Sequence, residues 1–173
     1  DPLSAGGVYV LELSSYQIDL THSLDCDVSV LLNITPDHLD RYDGFPGYVA
    51  SKLRLLEMQT ADHVAVITDE AYFVRELDKD KLMRLPAKKI NARDKYDPHS
   101  DDAVVDNGCA YWDGLNLDEQ SNWPALQGPH NAQNVAAAIA VAESLGIDEA
   151  ALVEGLWTYP GLPHRMERVA EKK

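Results

Sequence analysis

Three observations predict an α/β fold with a mostly parallel sheet, flanking helices and a small antiparallel insert. Short, β-branched and nearly all-apolar runs recur at Val8–Leu13, Val28–Asn33 and His63–Thr68, the look of strands covered on both faces. A helical pattern from Tyr48 to Met58 stands between the second and third runs, so the chain reads strand, helix, strand, the order of a parallel crossover. From about Lys88 to Gln127 the runs shorten and turn dipeptides enter, which marks the antiparallel insert.

Within the helical stretch, Tyr48, Leu53, Leu55, Leu56 and Met58 recur at mixed spacings of three and four, giving one buried side. In the insert, Asp101–Val105 and Cys109–Trp112 are strand candidates around the turn Asp106-Asn107-Gly108, with a second turn at Asp113-Gly114. Pro129 and His130 then lead into an alanine-rich helix from Asn131 to Gly146, the glycine standing where helices commonly stop. A last helix is expected from Asp148, its N-cap, to about Trp157. With no internal repeat or low-complexity linker, residues 1–173 read as one compact unit.

The length of 173 residues suits one domain, and 45% hydrophobic with 25% charged residues excludes disorder and collagen. No apolar run approaches the roughly 20 residues of a membrane span. The net charge of −14 argues against a non-specific nucleic-acid binder, whose affinity comes from neutralising phosphates. Cys26 and Cys109, far apart and outside any CxxC spacing, favour a reducing compartment without a zinc site, so a cytoplasmic protein is expected. Asp1-Pro2-Leu3-Ser4-Ala5-Gly6-Gly7 contains neither an initiator Met nor a charged lead into an apolar stretch; a fragment of a longer protein is the expectation.

Candidate chemistry gathers after the strand patterns. Glu12, inside an apolar run and followed by Leu13-Ser14-Ser15-Tyr16-Gln17, is either a solvent-facing edge residue or a magnesium ligand, since an unpaired buried carboxylate is costly. Asp37, His38, Asp40 and Arg41 after the second run are either a solvated loop or a site at the strand ends where open α/β sheets bind ligands. Lys52 reads by composition as a surface lysine, because an ammonium ion cannot ligate a metal. Asn131 and Asn134, three apart on one helix and preceded by His130, are either capping groups or readers of a nucleobase edge. Arg165, in Gly161-Leu162-Pro163-His164-Arg165, is a solvent-facing residue or a phosphate or ribose contact.

Taken in order, Glu12-Leu13-Ser14-Ser15-Tyr16-Gln17, Asn33-Ile34-Thr35-Pro36-Asp37-His38-Leu39-Asp40-Arg41, Lys52-Leu53-Arg54, Gly128-Pro129-His130-Asn131-Ala132-Gln133-Asn134 and Gly161-Leu162-Pro163-His164-Arg165 resemble the Mur ligase family. The form of the first segment is most like the family's D-glutamate-adding members. The resemblance runs from Glu12 to Arg165 and implies most of a P-loop-type central ATPase domain, truncated. The N-terminal UDP-binding domain, the C-terminal domain and the phosphate loop GxxxxGK[ST] are not in these residues.

The resemblance further implies an ATP-dependent amide ligase of peptidoglycan precursor synthesis, with ATP and two Mg2+ ions as cofactors. Its substrates would be UDP-N-acetylmuramoyl-L-alanine and D-glutamate, joined through an acyl phosphate. Glu12 matches the ligand of one magnesium and His38 that of the other, while Lys52 matches a lysine carried as a carbamate, an anionic oxygen donor. His38 and Lys52 thereby count as catalytic, Asn131, Asn134, His130 and Arg165 as nucleotide-binding, and Ser14 and Gln17 as substrate-facing. The parent protein is expected to be monomeric, with no nucleic-acid or membrane partner, and the fragment alone inactive. The alternatives are a sister Mur ligase or folylpolyglutamate synthetase-like ligase, and a non-catalytic binding module on the same fold.

Overall fold

The computed structural model describes residues 6–68, 88–93 and 102–163, with the backbone alone for 88–93. The elements are α1 (Ser15–Asp19), β1 (Val28–Leu31), α2 (Gly44–Glu57), β2 (Val64–Thr68), β3 (Lys88–Arg93), β4 (Ala103–Asp106), β5 (Cys109–Trp112), β6 (Leu115–Glu119), a 3-10 turn (Gln120–Asn122), α3 (Pro129–Ser144) and α4 (Glu149–Thr158). The strands form one six-stranded sheet in chain order. β1 to β4 run parallel, with Val28 opposite Val64, Val64 opposite Lys88 and Ala92 opposite Ala103. β4 to β6 are antiparallel.

Strands β1 and β2 are covered on both faces, and the alternation of side chains decides which layer each residue joins. On β2, Val64 and Val66 pack with Val28 and Val30 against Val135, Ala136, Ile139 and Ala140 of α3. Ala65 and Ile67 face the other way, meeting Leu31 and the α2 residues Tyr48, Val49, Leu53 and Leu56. Burying each such Val, Leu or Ile contributes about 1.5–3 kcal/mol relative to exposure. The alanines of α3, Ala136 and Ala140 both fully buried, let its backbone lie close across the sheet.

Local signals place most element ends. Asn107-Gly108 and Asp113-Gly114 all take positive φ, and each pair closes a two-residue hairpin, between Asp106 and Cys109 and between Trp112 and Leu115. Pro129 begins α3 at a position whose N–H needs no partner. Beyond its end, Ile147 N–H donates to Ala142 O and Gly146 N–H, at φ 68, to Glu143 O, the paired bonds of a glycine-closed terminus. Asp148 caps α4 by accepting from the N–H groups of Ala150 and Ala151.

Three expectations need correction. Val8–Leu13 belongs to no strand: Val8, Tyr9, Val10 and Leu11 are exposed, Val10 at 91%, and none of the described strands pairs with them. An apolar run becomes a strand only where a neighbour takes its backbone groups and layers cover its faces. The change of texture at Lys88 does not start the antiparallel part, because Lys88–Arg93 continues the parallel sheet and the reversal begins after β4. α2 begins at Gly44 rather than Tyr48, with Pro46 accommodated in its first turn, where no intrahelical N–H bond is lost.

Candidate active site

A pocket of about 320 Å³ is lined by Glu12, Leu13, Ser14, Ser15, Gln17, His38, Tyr48 and Lys52. Three segments supply it: the start of α1, the connection after β1, and α2. Five of the residues singled out from sequence, Glu12, Ser14, Gln17, His38 and Lys52, meet here.

Ser14 and Gln17 owe their placement to a reciprocal cap on α1. Ser14 Oγ accepts from the Gln17 N–H at 3.3 Å, and Gln17 Oε1 accepts from the Ser14 N–H at 2.9 Å. Such a pair satisfies helix-start donors that would otherwise be orphaned. His38 takes φ 50, a left-handed backbone that costs a non-glycine residue energy. Asp37 offsets this by accepting the His38 N–H at 2.8 Å, its other oxygen lying 3.4 Å from Nε2. The Tyr16 ring is 5.1 Å from the imidazole, and the Arg41 guanidinium lies 4.1 Å over Tyr16, a cation–π contact. Desolvation outweighs that cation and raises the Tyr16 phenol above its ordinary value.

Tyr48 and Lys52, four apart on α2, share a helix face, and Lys52 Nζ is 5.2 Å from the Tyr48 ring centroid. Beneath them Asp19 ties the segments together. Its carboxylate accepts from Tyr42 Oη at 2.9 Å and from Ser51 Oγ at 2.6 Å, while Arg54 donates to the Asp19 and Thr21 carbonyls. Burial alone would raise the Asp19 carboxyl; the bonds from Ser51 and Tyr42 and the Arg54 charge overcome it and hold it below the ordinary range.

The donor set suits a hard divalent cation in part. Glu12 offers an exposed carboxylate and His38 an imidazole nitrogen. Lys52 fits only once its ammonium is converted to a carbamate. Among the described residues no three His, Cys, Asp or Glu gather into a metal-holding group. Magnesium is nonetheless ordinarily held by one or two protein donors, with water and substrate phosphates completing its shell.

A second pocket, of about 500 Å³, contains His130, Asn131 and Asn134 of α3, with Leu126, Val135, Leu156, Tyr159 and Leu162 among its apolar walls. Asn131 spends one of its two amide N–H donors on the Gln127 carbonyl at 3.0 Å, which leaves the other N–H and the side-chain oxygen for a ligand. An apolar cleft with a few placed polar groups is the general form of a small-molecule site. His164 and Arg165 lie outside the described residues.

Sequence reasoning missed Tyr48 as a pocket residue, having read it only as core, and assigned no role to Asp19, Tyr42 or Ser51. It also missed the α4 wall of the second pocket, Gly155 and Leu156, and Tyr159 just beyond. The one available signal was Tyr42, which ends the run that begins at Asn33 and contains Asp37, His38, Asp40 and Arg41.

An α/β sheet covered on both faces, with polar groups collected beyond a parallel strand, defines a class of ligand-binding domain, and residues 4–142 match the Mur ligase middle domain; the chain belongs to that family. Among its relatives, the UDP-N-acetylmuramoylalanine–D-glutamate ligase of Sphingopyxis alaskensis is 49% identical across 100% of this chain and 35% of its own length. The ligase of the same name from Zymomonas mobilis is 46% identical across 100% of this chain and 34% of its own. That of Rickettsia felis is 35% identical across 93% of this chain and 35% of its own. The chain thus spans about a third of the length of the curated relatives it matches. Among the described residues no helix is long and apolar enough to cross a membrane.

Proposed function

We propose that these residues are the central part of a cytoplasmic, monomeric ATP-dependent ligase that joins D-glutamate to UDP-N-acetylmuramoyl-L-alanine, on a P-loop-type domain completed by other parts of the protein. The observation that carries this reading is the meeting of Glu12, His38 and Lys52 on one pocket, from three separate segments. The names of the relatives support the substrate assignment.

In the reaction the substrate carboxylate attacks the γ-phosphorus of ATP, the bond to the β,γ-bridging oxygen breaks, and ADP departs. The amine of D-glutamate then attacks the acyl carbon, phosphate leaves, and the amine gives up a proton. Glu12, His38 and a carbamylated Lys52 would hold Mg2+, which when bound neutralises the phosphate charge. Ser14 and Gln17 would orient the muramoyl substrate at the mouth of α1. Asn131 and Asn134, with His130, would read the edge of adenine, and Arg165 would contact the nucleotide.

The test is phosphate release by the full-length natural polypeptide containing these residues, with ATP, Mg2+ and UDP-N-acetylmuramoyl-L-alanine. Turnover is expected with D-glutamate and not with L-glutamate, a diamino acid or no acceptor. Turnover with a diamino acid instead would move the protein to a sister ligase. The 173 residues alone are expected to give no turnover.

A further inference from the structure

Asp118 of β6 belongs to none of the motifs above, yet one of its oxygens holds two indoles. Oδ2 accepts from Trp123 Nε1 at 2.6 Å and from Trp157 Nε1 at 2.5 Å, while Oδ1 accepts from Asn122 Nδ2 at 2.8 Å. Trp123 is fully buried, whereas Trp157 is 52% exposed, so packing alone does not pin the second indole. Hydrogen bonds to an ionised acceptor are about twice as strong as neutral ones. The carboxylate therefore joins β6 to α4 across 39 residues of sequence.

Both ends of this link lead to the second pocket. On α4, Gly155 and Leu156 line it just before Trp157, and Tyr159 lines it just beyond the helix end. On the other side the connection to α3 is braced: Gln127 Nε2 donates to the Trp123 carbonyl at 2.8 Å, and the Gln127 carbonyl accepts from Asn131 Nδ2. A chain of bonded residues thus runs from Asp118 through Trp123 and Gln127 to Asn131. Asp118 and Trp157 themselves are not among the lining residues.

We propose that Asp118 is a positioning residue for this pocket, a latch that sets α4 and Asn131 at the separation a 6-aminopurine needs without touching the ligand. The proposal rests on the reading of the pocket as a nucleobase site. Loosening the latch widens the slot and blurs the recognition of the ring edge, so affinity and base selectivity fall together.

The experiment measures dissociation constants for ATP and GTP by equilibrium dialysis, together with Tm, on the full-length natural polypeptide and its variants. Trp157→Phe keeps an aromatic side chain, smaller than the indole, and removes the α4 end of the latch; Asp118→Ala removes both ends; Asp118→Glu restores the acceptor. The wild-type protein is expected to prefer ATP, and Asn134→Ala to erase that preference. Trp157→Phe is expected to weaken ATP binding about tenfold and to shrink the ATP-over-GTP ratio, with Asp118→Glu nearer to wild type. A lowered Tm with an unchanged ratio in Trp157→Phe would mean that the latch serves stability alone, and would overturn the proposal even if Asp118→Ala fails to fold. A wild-type protein that binds neither nucleotide or both equally, or is indifferent to Asn134→Ala, would refute the nucleobase reading and the latch with it.

Discussion

Ser51 and Asp19, 32 residues apart, are joined by a hydrogen bond of 2.6 Å from Ser51 Oγ to Asp19 Oδ1. Ser51 stands immediately before Lys52 on α2, and Asp19 closes the helix that Ser14 caps and that contains Gln17. Tyr42, at the end of the connection that holds His38, donates to the other oxygen of the same carboxylate. One side chain outside the pocket thereby fixes the mutual placement of the three segments that form it.

Replacing Asp19 by Ala removes the carboxylate that accepts from Tyr42 and Ser51, leaving their hydroxyls only the longer contacts to each other at 3.4 Å and from Ser51 to the Ser15 carbonyl at 3.3 Å. A loss of about 1–3 kcal/mol in unfolding free energy is expected by urea denaturation. Ser51→Ala, which removes one donor of the set, is expected to cost less.

The same carboxylate sets an acid limit. Its folded-state pKa is held down, so the unfolded chain takes up the proton first as pH falls. The stabilisation is therefore fully present above the unfolded value of about 3.9 and is lost as pH drops through the lower folded value. Urea midpoints measured between neutral and acid pH are expected to converge for wild type and Asp19→Asn at the acid end; a constant gap would count against this assignment.

Lys52→Ala and Glu12→Gln are each expected to lower turnover of the full-length protein about a hundredfold or more, as loss of groups aimed at moving charge ordinarily does. A short-chain carboxylate added to Lys52→Ala is expected to restore part of the rate, because it supplies the oxygen donors of a carbamate. Absence of rescue, with normal folding by circular dichroism, would remove the carbamate from the account.

Gly161 adopts φ +79, and a Cβ built on it would come within 3.2 Å of Ala125 Cβ. Both residues line the second pocket. Gly161→Ala is expected to cost about 1–2 kcal/mol from the left-handed backbone alone, read as a fall in Tm of several degrees. Binding of ATP is expected to weaken in the same variant.

Gln59, 3% exposed, donates from Nε2 to the Cys26 and Val64 carbonyls at 2.9 Å each, tying the end of α2 to the start of β1 and to β2. Gln59→Leu leaves both part-buried carbonyls without that donor, and also removes Oε1, a buried oxygen that accepts no hydrogen bond. A destabilisation of about 1–2 kcal/mol in urea unfolding is expected, loss of the unpartnered oxygen offsetting part of the lost bonds.

Much of this architecture is written in short stretches of chain. The Asn107-Gly108 and Asp113-Gly114 turns, the Asp148 cap and the Gly146 stop depend on residues within a few positions of one another, which is why they read correctly from sequence. The pocket residues Glu12, His38 and Lys52 were legible because their motifs follow one another in a family order. Val8–Leu13 was misread for the opposite reason, since strandhood depends on a neighbour that composition does not reveal.

The sequence by itself determined the α/β alternation, both hairpin turns, the caps of α3 and α4 and the set of polar residues from which the site is drawn. The turns and caps follow from backbone preferences and local hydrogen bonds, whose partners lie one turn away or less, and the polar set from the order of its motifs along the chain. Only the tertiary structure decided that Asp19 binds Ser51 and Tyr42, that Asp118 holds Trp123 and Trp157, and that β3 extends the parallel sheet. Such contacts join side chains and strands brought together by the packing of α2 and α3 on opposite faces of one sheet. No periodicity along the chain encodes a distance that exists only after those layers close.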